Sequence, residues 1–176
     1  MTALEPSSLA LTMLITLRTA TRSDLPKLEW YGQYAHYRHI FQRAYREQQS
    51  GRRLILVADS NDFPIGHIFV QFIRPEAQEL GGRAYLYSLR VMEMFQGHGI
   101  GTHLIGEAEK ISAARGYEFT TIAAAKSNHG ARRLYERLGY RVFGDDPGQW
   151  SFLDHEGKTR HVQEPCWLLQ KELNLR

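Results

Sequence analysis

The segment Gln96-Gly97-His98-Gly99-Ile100-Gly101-Thr102 places three glycines within five residues. Before it, the apolar run from Ala84 to Val91 predicts a β-strand. After it, apolar residues recur at the spacing of one helical face, namely Leu104, Ile105, Ala108 and Ile111. Glycines let the backbone approach a ligand closely, and the free N–H groups at the start of a helix bind phosphate without a lysine. The segment therefore predicts a phosphate-binding loop between a strand and a helix.

Two common phosphate-binding motifs do not fit this loop. A Walker loop requires Gly-x4-Gly-Lys-Ser/Thr, and the sequence contains no such string. The dinucleotide fingerprint requires a third glycine where Thr102 stands. The pattern that does fit is Gln/Arg-x-x-Gly-x-Gly/Ala, at Gln96, Gly99 and Gly101. An ordinary glycine turn can carry the same letters, so the surrounding sequence decides between the two interpretations.

A second pattern further along the chain supplies that context. The segment from Asn128 to Tyr140 fits Asn-x-x-Ala-x-x-x-Tyr-x-x-x-Gly-Phe/Tyr. One helix and one strand are predicted between the two patterns. The patterns and their separation resemble the GNAT superfamily of N-acetyltransferases. The resemblance is strong over residues 84–143, looser over 13–83 and weak after 144.

The resemblance implies an α/β fold with a mixed, strongly curved β-sheet that is flanked by helices and splayed between its fourth and fifth strands, with coenzyme A in the splay. The residue patterns predict a tail over 1–12 and a single domain over 13–176, with a strand–helix–strand crossover at 84–124. They also predict a helix capped by Thr21–Asp24. The other predicted elements are a strand near 13–18, a helix over 35–50, strands at 53–58, 65–73, 84–91 and 118–124, a helix around 131–138 and strands after 141.

The resemblance further implies which residues bind acetyl-CoA. The backbone of the fourth strand pairs with the pantetheine arm like an added strand, and the N–H groups of the loop hold the pyrophosphate. The Asn128 amide contacts the cofactor near the pantetheine, although asparagine there also fits a helix N-cap. His98 equally fits a solvated loop residue. The implied cofactor-binding residues are Leu89, Arg90, Val91, Gln96, Gly97, His98, Gly99, Ile100, Gly101, Thr102, Asn128 and Tyr135.

Tyr135 occupies the position at which the family usually carries its general acid. The resemblance implies that its phenol protonates the coenzyme A thiolate as the thiolate leaves. Tyr135 also lies on the apolar stripe with Ala131, Leu134 and Leu138, as a core tyrosine would. One phenol at the open edge of a sheet is able to serve both roles.

The base that takes a proton from the acceptor amine is not identified by the sequence. An amine with a pKa near 10.4 is mostly protonated at pH 7, and removing that proton costs roughly 4.6 kcal/mol. The fourth strand carries no carboxylate, and Tyr85 stands where some relatives place a glutamate. Tyr85 or Tyr87 orders a water chain, or the acceptor amine has a low pKa, or the base lies in the substrate loops.

By the same resemblance, the acceptor channel lies between the first two helices and the C-terminal hairpin. The first wall is predicted to carry Trp30, Tyr31, Tyr34, His36, Tyr37, Arg38 and His39. The second wall, residues 144–164, carries Asp145, Asp146, Asp154, Glu156 and Glu164 against Lys158 and Arg160. A net negative wall favours a cationic acceptor, although solvated loops have the same composition.

Composition limits the remaining possibilities. The formal net charge of +3 is small and dispersed, and no nucleic-acid-binding motif accompanies it. The apolar stretch 9–17 lacks a preceding Lys or Arg and is too short to span a bilayer. The lone Cys166 favours a reducing compartment and fits a structural thiol in a buried strand.

The sequence therefore predicts a cytoplasmic, acetyl-CoA-dependent N-acetyltransferase that acts on a primary amine of a small molecule or protein. It is expected to be a monomer or homodimer, with no metal site and no nucleic-acid or membrane partner. The alternative is a non-catalytic acyl-CoA-binding or sensor domain of the same fold, which the missing carboxylate favours.

Overall fold

The computed structural model describes residue 8 and residues 12–73 and 82–174. In these ranges the chain forms nine β-strands and three α-helices, besides short 3-10 turns. The strands are β1 Thr16–Thr19, β2 Arg53–Ser60, β3 Phe63–Ile73, β4 Arg83–Val91, β5 Phe119–Ala125, β6 Arg141–Asp146, β7 Gln149–Leu153, β8 Thr159–Gln163 and β9 Cys166–Glu172. The helices are α1 Arg38–Gln49, α2 Ile100–Ala114 and α3 His129–Arg137.

Seven strands form one mixed sheet in the order β1-β2-β3-β4-β5-β9-β6. Strands β1 to β4 are antiparallel neighbours, β4 and β5 are parallel, and β9 lies antiparallel between β5 and β6. Strands β7 and β8 form a separate antiparallel hairpin. The predicted α/β fold with a mixed sheet and flanking helices is confirmed, and the crossover at 84–124 runs through α2.

Alternate residues of the central strands bury two different cores, because successive side chains of a strand point to opposite faces. On one face, Leu54 and Leu56 of β2 belong to the same core as Leu104 of α2. On the other face, Ile55 of β2 packs in a core with Phe41 of α1. The near-continuous apolar run of β2 thus reflects burial on both sides.

The predicted first helix is wrong. Thr21 and Asp24 do form a reciprocal capping box, but the segment continues only as 3-10 turns at Arg22–Asp24 and Lys27–Glu29. Trp30 and Tyr31 then adopt positive φ values of 42° and 57°, which end any helix. The indole N–H of Trp30 donates to the Pro64 carbonyl at 2.8 Å, so a tertiary contact overrides the local helix signal.

Other boundaries shift by a few residues. The second predicted helix begins as a 3-10 turn at Ala35–Tyr37 and is α-helical only from Arg38. The first strand begins at Thr16 rather than Met13. Most of the predicted tail over residues 1–12 lies outside the described residues, as do the residues just before Gly82 in the loop between β3 and β4. No helix within the described ranges is long and apolar enough to cross a membrane.

Candidate active site

Strands β4 and β5 separate partway along their length. They pair in parallel only over Arg83–Leu86 and Phe119–Ile122. At the point of separation β4 carries a β-bulge, because two of its residues, Ser88 and Leu89, face a single residue of β3. Ser88 has a φ of 54°, and β5 continues along β9 instead. The predicted splay is confirmed: within the described ranges, residues 87–91 have no strand partner on the β5 side.

The bulge decides which β4 side chains face which core. Leu89 and Val91 pack on the core beneath α2. Arg90 instead lies over the rings of Tyr34 and Tyr37 on the α1 side. Nothing in the local sequence signals this change of phase, because serine has no preference for a positive φ.

The loop between β4 and α2 presents a run of free backbone N–H groups. The N–H of Gln96 closes a turn onto the Glu93 carbonyl. Among the described residues, none of the N–H groups of 97–102 donates to another backbone carbonyl. Gly97 and Gly99 have φ values of +78° and +81°, and Gly99 is the N-cap of α2. Consecutive N–H groups in such a conformation form an anion-binding concavity.

Three side chains predicted to bind the cofactor make contacts within the protein. The Gln96 amide donates to the Val91 carbonyl at 2.9 Å, which ties the loop to the end of β4. The exposed ring of His98 lies 2.9 Å from the Gln96 carbonyl through Nδ1. Asn128 caps α3 by accepting from the Ala131 N–H at 3.0 Å. Positioning of the loop and capping are thus observed, while their contacts with a cofactor stay predictions.

Tyr135 lies on α3 with 6% of its surface exposed. It packs in the core beneath α2, 6.2 Å between ring centroids from Tyr140. Burial, together with the neighbouring Tyr85 hydroxyl, raises the pKa of Tyr135 to about 12. The phenol therefore stays protonated through the neutral range, as a proton donor must. Its place in the core agrees with the predicted role of a core tyrosine and is compatible with the predicted role of a general acid.

A cavity of about 600 Å³ lies on the α1 side of the sheet, where β4 and β5 separate. Tyr85, Tyr87 and Arg90 form its β4 wall, and Ala123 and Ala125 line it from β5. The remaining walls come from α1, from the segment 146–152 and from the start of β9. The cavity thus adjoins the opening from the side opposite α2.

The cavity contains the carboxylates that the fourth strand lacks. Asp146, at the end of β6, and Glu164, just before β9, both line it. The pKa of Tyr85 is raised to about 12, chiefly by burial and to a smaller extent by neighbouring groups that include Asp146. Sequence reasoning left open a base in the substrate loops but did not single out these two residues. Only the insertion of β9 beside β5 brings them to the site.

The predicted channel walls are partly corrected. Of the first wall, Tyr37 lines the cavity, and Tyr34 contacts the cavity residue Arg90. Trp30 is instead a core residue with 4% of its surface exposed, and Tyr31 is 88% exposed and stacks on Phe63. The remaining residues of that wall do not line the cavity: His36, Arg38 and His39.

Fewer acidic residues of the second wall line the cavity than the sequence predicts. Asp154 is fully buried in the β7–β8 turn, where its carboxylate accepts from the N–H groups of Glu156 and Lys158 and pairs with Arg160. It stabilises the hairpin and does not face the cavity.

The prediction that Cys166 is a buried structural thiol is wrong, because this residue is half-buried and lines the cavity.

A ligand that suits both halves of this site has a pyrophosphate for the loop and an extended arm for the free edge of β4. Acyl-coenzyme A has both, so fold and site together describe an acyltransferase. Residues 17–140 match the model of the acetyltransferase (GNAT) family, and the chain belongs to this family. The predictions of this fold, of an acetyltransferase and of acetyl-CoA as its cofactor are confirmed by that membership.

Solved structures of similar fold include Arabidopsis thaliana NAA60 in complex with acetyl-CoA, at 21% identity and a TM-score of 0.70, covering 92% of this chain and 99% of that one. The ribosomal-protein-S18-alanine N-acetyltransferase of Escherichia coli is 18% identical with a TM-score of 0.65, covering 93% and 96%. Among curated proteins, N-alpha-acetyltransferase MAK3 of Arabidopsis thaliana is 40% identical over 58 residues. That match spans 33% of this chain and 30% of the relative.

Proposed function

We propose that the protein transfers the acetyl group of acetyl-CoA to a primary amine by direct attack within a ternary complex. The observation that carries this proposal is the opening between β4 and β5, which has the glycine loop at its end and the acceptor cavity on one side. A cofactor lying in the opening exposes its thioester to an amine in the cavity. The relatives named above for N-acetyl transfer support an amine as the acceptor. The cytoplasm remains the expected compartment.

In the proposed cofactor site, the N–H groups of 97–102 hold the pyrophosphate and the backbone of Leu89 to Val91 binds the pantetheine as an added strand would. Acetyl-CoA supplies the activated acyl group. The fit rests on geometry in the protein: a left-handed Gly97 and Gly99, loop N–H groups without a backbone acceptor, and a stretch of β4 that has no partner on the β5 side. The Arg90 side chain points into the cavity, so its part in cofactor binding is through the backbone.

In the proposed reaction, the neutral amine nitrogen bonds to the thioester carbonyl carbon, the C–S bond breaks and the thiolate receives a proton. Tyr135 is the proposed donor of that proton. A thiol has a pKa near 8.5, so complete transfer from a phenol of pKa about 12 is uphill by about 5 kcal/mol. Donation must therefore accompany C–S cleavage, and the Tyr135 phenol regains its proton from solvent once the product amide has formed. The proton lost by the amine leaves by a separate path.

Tyr85 is the proposed start of the path that removes the amine proton. Its phenol has a pKa of about 12, so it is not an ionised base at neutral pH and acts by ordering water. Asp146 and Glu164, which line the same cavity, are the carboxylates to which that water leads.

We expect Tyr85→Phe to lower kcat about tenfold, with the KM for acetyl-CoA unchanged. Tyr117→Phe, on the α2 side of the sheet, is the control and should retain full activity.

Cofactor binding is tested by thermal unfolding. At one hundred times its dissociation constant, coenzyme A should add about 2.7 kcal/mol to the free energy of unfolding, a rise in Tm of roughly 5–10 °C for a chain of this size. No rise with millimolar acetyl-CoA would contradict the proposal.

Release of free thiol from acetyl-CoA in the presence of an amine then distinguishes the enzyme from the alternative, a non-catalytic acyl-CoA sensor, which binds without turnover.

A further inference from the structure

Arg90 places a half-buried positive charge in the wall of the acceptor cavity. Its guanidinium carbon lies 4.7 Å from the ring centroid of Tyr34 and 4.9 Å from that of Tyr37. Nη1 donates to the Ser88 hydroxyl at 2.5 Å. Within the described ranges no carboxylate lies in ion-pair distance of Arg90. Among the described residues, the charge is therefore surrounded by aromatic rings and hydroxyl groups, without a counter-ion.

Arg53 also lines the cavity, but unlike Arg90 it has a carboxylate partner. Glu47 pairs with Arg53 and also with Arg43, and the Tyr87 hydroxyl accepts a further hydrogen bond from Arg53. Withdrawing a guanidinium from water without a carboxylate partner is costly. A protein that retains such a group at Arg90, facing a cavity, presents it to a ligand. Burial accordingly lowers the pKa of Arg90, although an arginine remains charged.

The geometry leaves the binding edge of the guanidinium available. The guanidinium carbon lies over the rings of Tyr34 and Tyr37 in cation–π contacts, and these contacts do not use up the five N–H donors of the group. Ser88 accepts one of them, and the Tyr34 and Tyr37 hydroxyls lie close enough to compete for others. The remaining donors form the fork that matches a carboxylate or phosphate. The bulge at Ser88 places the Arg90 side chain on the cavity side of the sheet.

We propose that the acceptor is an amine that also carries an oxyanion, a carboxylate or phosphate, and that Arg90 binds this oxyanion. The inference rests on the proposed function and names the substrate class of the same site. Asp146 and Glu164 line the cavity with the opposite charge and suit the amine end. An acceptor with both charges satisfies both walls, whereas a simple diamine leaves Arg90 without a partner.

The test compares acceptors that differ only in the oxyanion. The pairs are 4-aminobutyrate and butylamine, ethanolamine phosphate and ethanolamine, and the peptide amides Ala-Asp-Ala and Ala-Asn-Ala. We expect at least one anionic member to exceed its neutral partner in kcat/KM by about tenfold to a hundredfold, the usual worth of a hydrogen bond to a charged group. The pair that responds identifies carboxylate, phosphate or acidic peptide as the source. Equal or better turnover of the neutral member in every pair overturns the proposal.

Variants assign the preference to Arg90. Arg90→Gln should reduce the ratio within the responsive pair to near one, while the Tm shift with acetyl-CoA stays as in the wild type. Arg43→Gln removes a charge from the same cavity, but Arg43 is 69% exposed and paired with Glu47, so the ratio should persist. A ratio that survives Arg90→Gln overturns the assignment. If that variant does not fold, Arg90→Lys, which keeps the charge without the planar fork, should give a reduced ratio.

Failure of the proposed function is recognised separately, as an absence of thiol release with all six acceptors. In that case, anion binding in the absence of turnover tests the oxyanion site. Millimolar butyrate or inorganic phosphate should raise the Tm of the wild-type complex with acetyl-CoA and leave that of Arg90→Gln unchanged. No rise with either anion overturns the oxyanion site as well.

Discussion

Replacement of Tyr135 by phenylalanine is expected to lower kcat by roughly 10²–10⁴-fold, the usual contribution of a general acid. The KM for acetyl-CoA should change far less, because the hydroxyl acts only as the C–S bond breaks. The ring and its packing remain in the core, so the free energy of unfolding should change by no more than about 1 kcal/mol. Steady-state kinetics and thermal unfolding of the same preparation measure both quantities.

Tyr140 provides the matched control. Its hydroxyl bonds to Thr120 at 3.0 Å and to Glu109 at 2.9 Å, so it holds α2 to the sheet rather than facing the cavity. Tyr140→Phe should lower the stability by about 1–3 kcal/mol, since it leaves the buried Thr120 hydroxyl without its partner, and should leave kcat nearly unchanged. The opposite outcome, an inactive Tyr140→Phe and an active Tyr135→Phe, would show that Tyr135 is only a core tyrosine.

Replacement of Gly99 by valine should abolish cofactor binding, seen as loss of the Tm rise with acetyl-CoA. Gly99 has a φ of +81°, a conformation that a β-branched residue adopts only with strain. The change therefore reorients the loop N–H groups and places a side chain near His103, whose ring lies 3.7 Å from an added Cβ. The fold should survive, because Gly99 is exposed. Isothermal titration with coenzyme A provides the direct measurement.

Gly106 offers a control in the same helix. An added Cβ there meets nothing within 4 Å, and the position is inside α2. Gly106→Ala should raise the stability by about 0.5–1 kcal/mol through helix propensity and leave coenzyme A affinity unchanged. Normal binding by Gly99→Val would mean that the loop does not hold the pyrophosphate.

The parts of the site that depend on local chemistry were predictable from the sequence. Gly99 at the start of α2 and Asn128 at the start of α3 both have a conformation or a capping role that the residue type itself favours. The helix predicted at Thr21–Asp24 rested on equally local signals and failed. There the burial of Trp30 against Pro64 outweighs a cap, whose contribution is about 1 kcal/mol.

The cavity side of the site depends on pairing between strands that are distant in sequence. The sequence alone therefore predicts little of it. Asp146 reaches the cavity because β9 pairs with both β5 and β6, a register that no single segment encodes. For Arg90 the resemblance predicts a cofactor contact through the backbone and says nothing of the side chain. The bulge at Ser88 places that side chain in the cavity wall, because a one-residue change of phase in a strand reverses every side chain beyond it.

The opening between β4 and β5 also bears on how the protein behaves without a cofactor. Residues 87–91 then present an unsatisfied strand edge inside the sheet, and such an edge is a template for pairing with another chain. The amide protons of this stretch that point away from β3 have no strand acceptor, and we expect them to exchange with solvent readily. If coenzyme A binds along this edge as proposed, we expect it also to reduce self-association of the chain, which would make the cofactor both a reactant and a solubilising ligand.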